Sequence, residues 1–158
     1  MKTQVWAHRG ASAYAPENTL EAFRLAAEMG ADGVELDVQL SRDGELVVAH
    51  DETIDRVSSG TGYIKDYTLA QLKKLSFNRL FPNFKDARIP TLKEVYELLK
   101  PAGLTVNVEL KTGIILYPEI EEKVLALTAS MGMEDRVIYS SFCHPSLVRL
   151  KELDSGIK

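Results

Sequence analysis

The sequence predicts an α/β fold built on a parallel sheet, and three observations carry that prediction. Short apolar, strand-like runs alternate with amphipathic helical stretches, the pattern of strand–helix–strand crossovers. The helical stretches are punctuated, with capping residues or prolines opening them and glycines closing them. One segment departs from the alternation, placing Asp43-Gly44 between two alternating apolar–polar runs, a strong hairpin signal.

In chain order, "VWAH" at 5–8 is a strand. "NTLEAFRLAAEMG" at 18–30 is a helix, opened by Asn18 as N-cap with Glu21 three residues on, and stopped by Gly30. Leu20, Phe23 and Ala27 form its apolar stripe. "GVELDV" at 33–38 is the second strand. With Asp43 and Gly44 as a two-residue loop, Arg42 faces Glu45 and Asp37 faces His50, so "ELVVAH" returns as an antiparallel ribbon. Residues 51–90 are rich in turns, with one short helix near 68–75, and read as a small insertion over the C-terminal end of the sheet. "TLKEVYELLKPAG" at 91–103 is a helix beginning at Thr91, and "LTVNVEL" at 104–110 a strand. "YPEIEEKVLALTASMG" at 117–132 is a helix with Pro118 in its first turn and Gly132 past its end. "RVIYSSF" at 136–142 and "HPSLVRLKEL" at 144–153 complete the alternation with a strand and a helix.

Composition bounds what such a chain does. Its 158 residues, 45% of them hydrophobic, suffice for one globular core. A net charge of −4 is the opposite of the basic footprint of a nucleic-acid binder. An anionic substrate would therefore be drawn by a local cluster or a bound metal, not by the overall field. The single cysteine, Cys143, forms no intrachain disulfide and fits a reducing compartment. The start, "MKTQVWAHRG", lacks the apolar run of a leader, and no stretch reaches the ~18 apolar residues of a membrane span. These features read as a soluble, cytoplasmic protein.

The chemistry-bearing residues gather where strands end. The first strand ends in His8 and Arg9, the second in Glu35 and Asp37, and the strand at 104–110 in Glu109 and Lys111; the hairpin brings back His50. Residues two apart on a strand share a face, so these groups converge on one end of the sheet, where α/β barrels carry their active sites. Glu35, Asp37 and Glu109 are hard oxygen ligands suited to Mg²⁺ or Ca²⁺. Three carboxylates so close repel one another unless a cation or protons intervene. Arg9 and Lys111 add positive charge for an anion sharing the metal. Imidazoles titrate near neutrality, so one histidine can donate a proton while the other accepts one. Metal, cationic clamp and acid–base pair together fit cleavage of a phosphodiester.

The stretches "HRG", "PENT", "ELDVQLSRDGELVVAHD", "ELK" and "SSF" resemble the bacterial glycerophosphodiester phosphodiesterase family, over nearly the whole chain. The resemblance implies a TIM-barrel fold, a divalent metal ion (Mg²⁺ or Ca²⁺), and hydrolysis of a small-molecule glycerophosphodiester to an alcohol and glycerol 3-phosphate. By motif position it implies His8 and His50 as the acid–base pair, Glu35, Asp37 and Glu109 on the metal, and Arg9 and Lys111 on the substrate phosphate.

One departure stands beside the match. The family's barrel has eight strands and roughly 250 residues, whereas residues 1–158 supply about the first four βα units, a hairpin and the 51–90 insertion. The expectation is a single partial barrel domain that is either a fragment or one partner of a homo-oligomer joined through open sheet edges. The alternative to an enzyme is an inactive half-barrel that binds cation or phosphate.

Other residues take blander readings. Asn18 caps a helix, Glu17 is structural and reaches Arg9, and Arg56 anchors a turn through carboxylates. His144 is a surface or capping residue, and Cys143 a small buried hydrophobe. Phe142 lines a pocket or joins the core, and Tyr63, Tyr67, Phe77, Phe81 and Phe84 pack the insertion itself.

Overall fold

A computed structural model of the chain describes residues 3–158. Met1 and Lys2, the first two residues of the stretch read for a leader, lie outside the described residues. The strands are β1 (Trp6–His8), β2 (Gly33–Leu40), β3 (Leu46–Val48), β4 (Thr105–Leu110) and β5 (Val137–Ser140). The helices are α1 (Leu20–Glu28), α2 (Leu69–Leu72), α3 (Leu92–Leu99), α4 (Ile120–Ser130) and α5 (His144–Leu153). β1, β2, β4 and β5 run parallel in that order, and β3 pairs antiparallel with β2.

The sheet has two unlike faces. Val34, Leu36 and Val38 of β2 and Val106, Val108 and Leu110 of β4 are buried against the helices in one core. Phe23 of α1, Tyr96 and Leu99 of α3, Val124 of α4 and Leu150 of α5 complete it. The alternate residues of β4, Thr105, Asn107 and Glu109, are only half-buried. Parallel sheets are usually covered on both faces; here the face opposite the helices is polar, and it is the face that carries the acidic residues.

Helix starts follow local chemistry. Thr91 caps α3 in a full capping box with Glu94, as its place in the sequence predicts. At α1 the cap is Thr19, whose side chain accepts from the Ala22 N–H. Asn18 is therefore not the N-cap; it lies one residue earlier, in a left-handed conformation at φ 56°.

The hairpin register also differs from the expectation. Leu40 pairs with Leu46 and Val38 with Val48, so Asp37 sits opposite Ala49 and not His50. The loop has three residues, Arg42-Asp43-Gly44, closed by the Glu45 N–H on the Ser41 hydroxyl, the Ser41 N–H on the Glu45 carbonyl and the Gly44 N–H on the Ser41 carbonyl. Gly44, at φ 77°, takes the left-handed position such loops need. This register puts Leu46 and Val48 into the main core. Val47 and Ala49 face a second, smaller core with Ile54, Ile64, Leu72, Phe77 and Ile89. That small core is what the turn-rich 51–90 segment packs around. Phe77 belongs to it, while Phe81 and Phe84 meet edge-to-face at 6.2 Å. No helix among the described residues is long and apolar enough to cross a membrane.

Candidate active site

The strand register assembles the site. His8 pairs with Glu35 across β1–β2, and Asp37 pairs with Glu109 across β2–β4. The alternation that sends Val34, Leu36 and Val38 into the core sends Glu35 and Asp37 to the opposite face.

The chain leaves β1 through two consecutive left-handed residues, Arg9 at φ 58° and Gly10 at φ 78°. For Arg9 this conformation costs ~1–3 kcal/mol, a strain typical of functional positions. Gly10 is required for a further reason: a Cβ there would sit 2.7 Å from the Ala22 carbonyl carbon, so glycine lets α1 approach the strand end. The turn points the Arg9 N–H at Glu35, on its carbonyl oxygen at 3.0 Å and its Oε2 at 3.1 Å. The Arg9 guanidinium lies between Glu17 Oε1, 3.1 Å from NH1, and Asp37 Oδ2, 3.5 Å from Nε.

Glu35, Asp37 and Glu109 each offer an oxygen within 4.8 Å of the others'. Lys111 Nζ is 3.1 Å from Glu109 Oε1 and 3.8 Å from Asp37 Oδ1. His8 Nε2 is 3.6 Å from Glu35 Oε2, its side chain two-thirds exposed. His50 follows Ala49, whose N–H donates to the Asp37 carbonyl at 3.0 Å, and the ring is near enough that its protonated form favours the ionised Asp37 carboxyl. All seven residues singled out from the sequence thus meet at one end of the sheet.

The electrostatics fit a cation among the three acids. Burial, with the neighbouring Asp37 charge, pushes the Glu35 carboxyl up to about 7. Burial also raises Asp37, against the Asn18 hydrogen bond and the charges of His50, Lys111 and Arg9. Glu35 Oε1 and Asp37 Oδ1 are buried without a hydrogen-bond partner. A buried, unpartnered carboxylate oxygen is costly, and a hard divalent ion bonded to both would remove that cost. The residues present therefore fit the group.

His50 is held from two sides. Its Nδ1 lies 2.7 Å from Asp51 Oδ1, the geometry of an Nδ1–H donor, which leaves Nε2 as the unprotonated ring nitrogen. Its backbone is clamped by Gln39, fully buried, whose Nε2 lies 3.0, 3.2 and 2.7 Å from the carbonyl oxygens of Ala49, His50 and Asp51. The Gln39 Oε1 accepts from the Tyr117 hydroxyl at 2.8 Å.

Three of the supporting side chains, Gln39, Tyr117 and Asn18, are not legible as such in the sequence. Gln39 reads as an ordinary polar residue of an alternating strand, and nothing near it in sequence announces Tyr117. Asn18 reads as a cap, but its Nδ2 donates to Asp37 Oδ2 at 2.8 Å from a 97% buried position. The available signal was the adjacency of two cap formers, Asn18-Thr19, since only one can cap. Phe142, 89% exposed, is not in the core.

Comparison with known proteins gives a consistent result. Residues 8–158 match the model of the glycerophosphoryl diester phosphodiesterase family. The chain is 52% identical over 159 aligned positions to a glycerophosphodiester phosphodiesterase of Caldanaerobacter subterraneus subsp. tengcongensis, covering 100% of this chain and 65% of that protein. Its fold superposes on the crystal structure of a glycerophosphodiester phosphodiesterase from Agrobacterium tumefaciens with a TM-score of 0.91 at 37% identity, over 99% of this chain and 65% of that one. A phosphodiesterase of Oleispira antarctica, solved in complex with the product sn-glycerol-3-phosphate, superposes with a TM-score of 0.84 at 36% identity, over 98% and 64% of the respective chains. The fold is thus the α/β barrel of these proteins in part, and the chain spans a little under two-thirds of their length.

Proposed function

The chain belongs to the glycerophosphoryl diester phosphodiesterase family, and from that premise we propose that it acts in the hydrolysis of a glycerophosphodiester to an alcohol and glycerol 3-phosphate. The observation that carries this reading is the trio Glu35, Asp37 and Glu109, with oxygens within 4.8 Å of one another, two of their oxygens buried and unpartnered, and cationic side chains alongside.

In this reading Glu35, Asp37 and Glu109 hold Mg²⁺ or Ca²⁺. When bound, such an ion supplies polarisation of the phosphoryl group and neutralisation of charge developing on its oxygens. Arg9 and Lys111 take the remaining phosphate oxygens, and both already lie against the acidic cluster. His8 and His50 divide the proton work: one removes the proton from the attacking oxygen, of water or of the substrate's glycerol hydroxyl, and the other protonates the departing alcohol oxygen as the P–O bond to it breaks; a cyclic phosphate formed by the glycerol hydroxyl is then opened by water to glycerol 3-phosphate. Asp51 keeps His50 in the tautomer that leaves Nε2 free. The whole described chain then works as a single partial-barrel domain, with the 51–90 segment over the mouth of the site. The single cysteine and net negative charge suit a cytoplasmic enzyme of a small-molecule substrate, with no nucleic-acid partner.

The test is release of glycerol 3-phosphate from glycerophosphocholine with Mg²⁺ or Ca²⁺ and then with chelator. The reading expects turnover abolished by chelator and by His50→Ala. Turnover indifferent to both rejects it. A second reading draws on β1 and β5 forming the two ends of the sheet: a chain that binds cation and phosphate without turnover and self-associates edge to edge. Sedimentation distinguishes the two, since an active monomer excludes the second.

A further inference from the structure

Four charged groups of alternating sign, ending on a histidine, form an unbroken chain through this end of the molecule. Arg9 NH1 donates to Glu17 Oε1 at 3.1 Å. Arg56 grips the same Glu17 carboxylate with two parallel hydrogen bonds, NH2 to Oε1 at 2.8 Å and NH1 to Oε2 at 2.7 Å. Its third nitrogen, Nε, donates to Asp51 Oδ2 at 2.7 Å. The other oxygen of Asp51 meets His50 Nδ1, also at 2.7 Å. One guanidinium therefore joins the residue assigned to the phosphate and the residue assigned to the proton.

Isolated ion pairs at the surface contribute little, ~0–1 kcal/mol. This arrangement differs in two respects. It is bidentate on one side and networked on the other, the geometry that makes Arg–carboxylate contacts directional. It is also anchored at its root: Arg56 stands two residues after Ile54, which is fully buried in the small core, and the Ser58 N–H closes that turn on the Ile54 carbonyl. The carboxylates it holds are well covered, the Glu17 side chain 15% and the Asp51 side chain 28% exposed. The Asp51 carboxylate is free to rotate about its own bond unless its second oxygen is fixed, and Arg56 Nε fixes it. Likewise Glu17 can face Arg9 only while its plane is set, and the Arg56 fork sets it.

We propose that Arg56 is a positioning residue: a guanidinium supplied by the 51–90 segment that, by holding Glu17 and Asp51 together, sets the orientation of Arg9 and the tautomer of His50. The role rests on the reading of Arg9 and His50 given above. It gives the turn-rich segment a part in the chemistry, since the small core that anchors Arg56 also contains Ala49, the residue before His50.

The test uses ¹⁵N spectra of the imidazole rings, which need no turnover. The chain has three histidines, and His50→Gln assigns the ring of interest. The parent is expected to show His50 as one neutral tautomer with its proton on Nδ1. In Arg56→Met the neutral ring should become a mixture of both tautomers, and kcat/KM for glycerophosphocholine should fall about 10- to 100-fold, as when an outer hydrogen-bond partner of a site is removed. Arg56→Lys should recover only part of this, because an ammonium cannot hold two carboxylates in a fork. A purely structural Arg56 would lower the melting temperature and leave the His50 ring unchanged; that result overturns the proposal. Should Arg56→Met fail to fold, the Arg56→Lys spectrum decides on the same criterion. If the parent itself shows no turnover, the functional reading fails, while the ring spectra still judge the role of Arg56.

Discussion

Asn18 Nδ2 donates to Asp37 Oδ2 at 2.8 Å, and both side chains are almost wholly buried. The loop after β1 thus reaches across to the central strand and fixes one carboxylate of the acidic cluster. It does so from a left-handed backbone, φ 56°, that asparagine tolerates better than most residues. The bond opposes the burial that raises the Asp37 carboxyl and favours the charged form a cation would bind.

Replacing Asn18 with alanine removes that donor and leaves Asp37 free to turn. Affinity for Mg²⁺ or Ca²⁺, measured by titration calorimetry, should fall about 10- to 100-fold. An unchanged affinity would mean that Asp37 either is held adequately by Arg9 and Lys111 or is not a ligand.

Cation binding should depend on pH through Glu35. Its carboxyl is raised from the ordinary 4.5 to about 7 by burial and by Asp37. A cation must displace the proton held there, so affinity should rise by up to about tenfold per pH unit towards pH 7 and flatten above it. The cation-free protein shows the converse. Between 4.5 and 7 the folded state holds a proton that the unfolded state has lost. The stability this group contributes is therefore fully present below the lower value and lost as pH rises through the upper one. Melting temperatures in chelator across that window check the sign, and a cation affinity that is flat with pH contradicts the assignment of Glu35.

Gln39→Leu strips a donor from three successive carbonyls, those of His50 and Asp51 on partly buried residues, and an acceptor from the buried Tyr117 hydroxyl. The expected cost is about 2–3 kcal/mol in urea unfolding, the penalty of buried groups left unpaired. Gln39→Glu should be worse, because it sets a carboxylate against three carbonyl oxygens.

Gly10→Ala combines a left-handed backbone with a Cβ only 2.7 Å from the Ala22 carbonyl carbon. Strain and overpacking together should cost about 2–4 kcal/mol, with α1 forced away from β1. A loss below ~0.5 kcal/mol would mean that the helix yields easily.

Much of this arrangement is legible in the sequence because short-range rules write it. Alternation places Glu35 and Asp37 on one face, and strand ends collect His8, Arg9, Glu109 and Lys111. What escaped was set by detail or by distance. Asp43-Gly44 is compatible with a two- or a three-residue loop, and the choice fell to which face Leu46 and Val48 had to bury, a matter of tertiary packing. Asn18 and Thr19 both suit a cap, and only the position of Asp37 explains why Thr19 takes that role. Arg56 meets Glu17 across 39 residues of chain, and no local pattern encodes that pairing.

The two-faced β2 strand has a consequence for how the protein tolerates change. Its acidic residues are interleaved one for one with Val34, Leu36 and Val38, each at 0% exposure. Deleting a single residue upstream within this strand would therefore exchange the roles wholesale, driving carboxylates among the helices and valines onto the acidic face. Chemistry and solidity are printed on opposite sides of the same page, and neither can be shifted by one place without tearing the other.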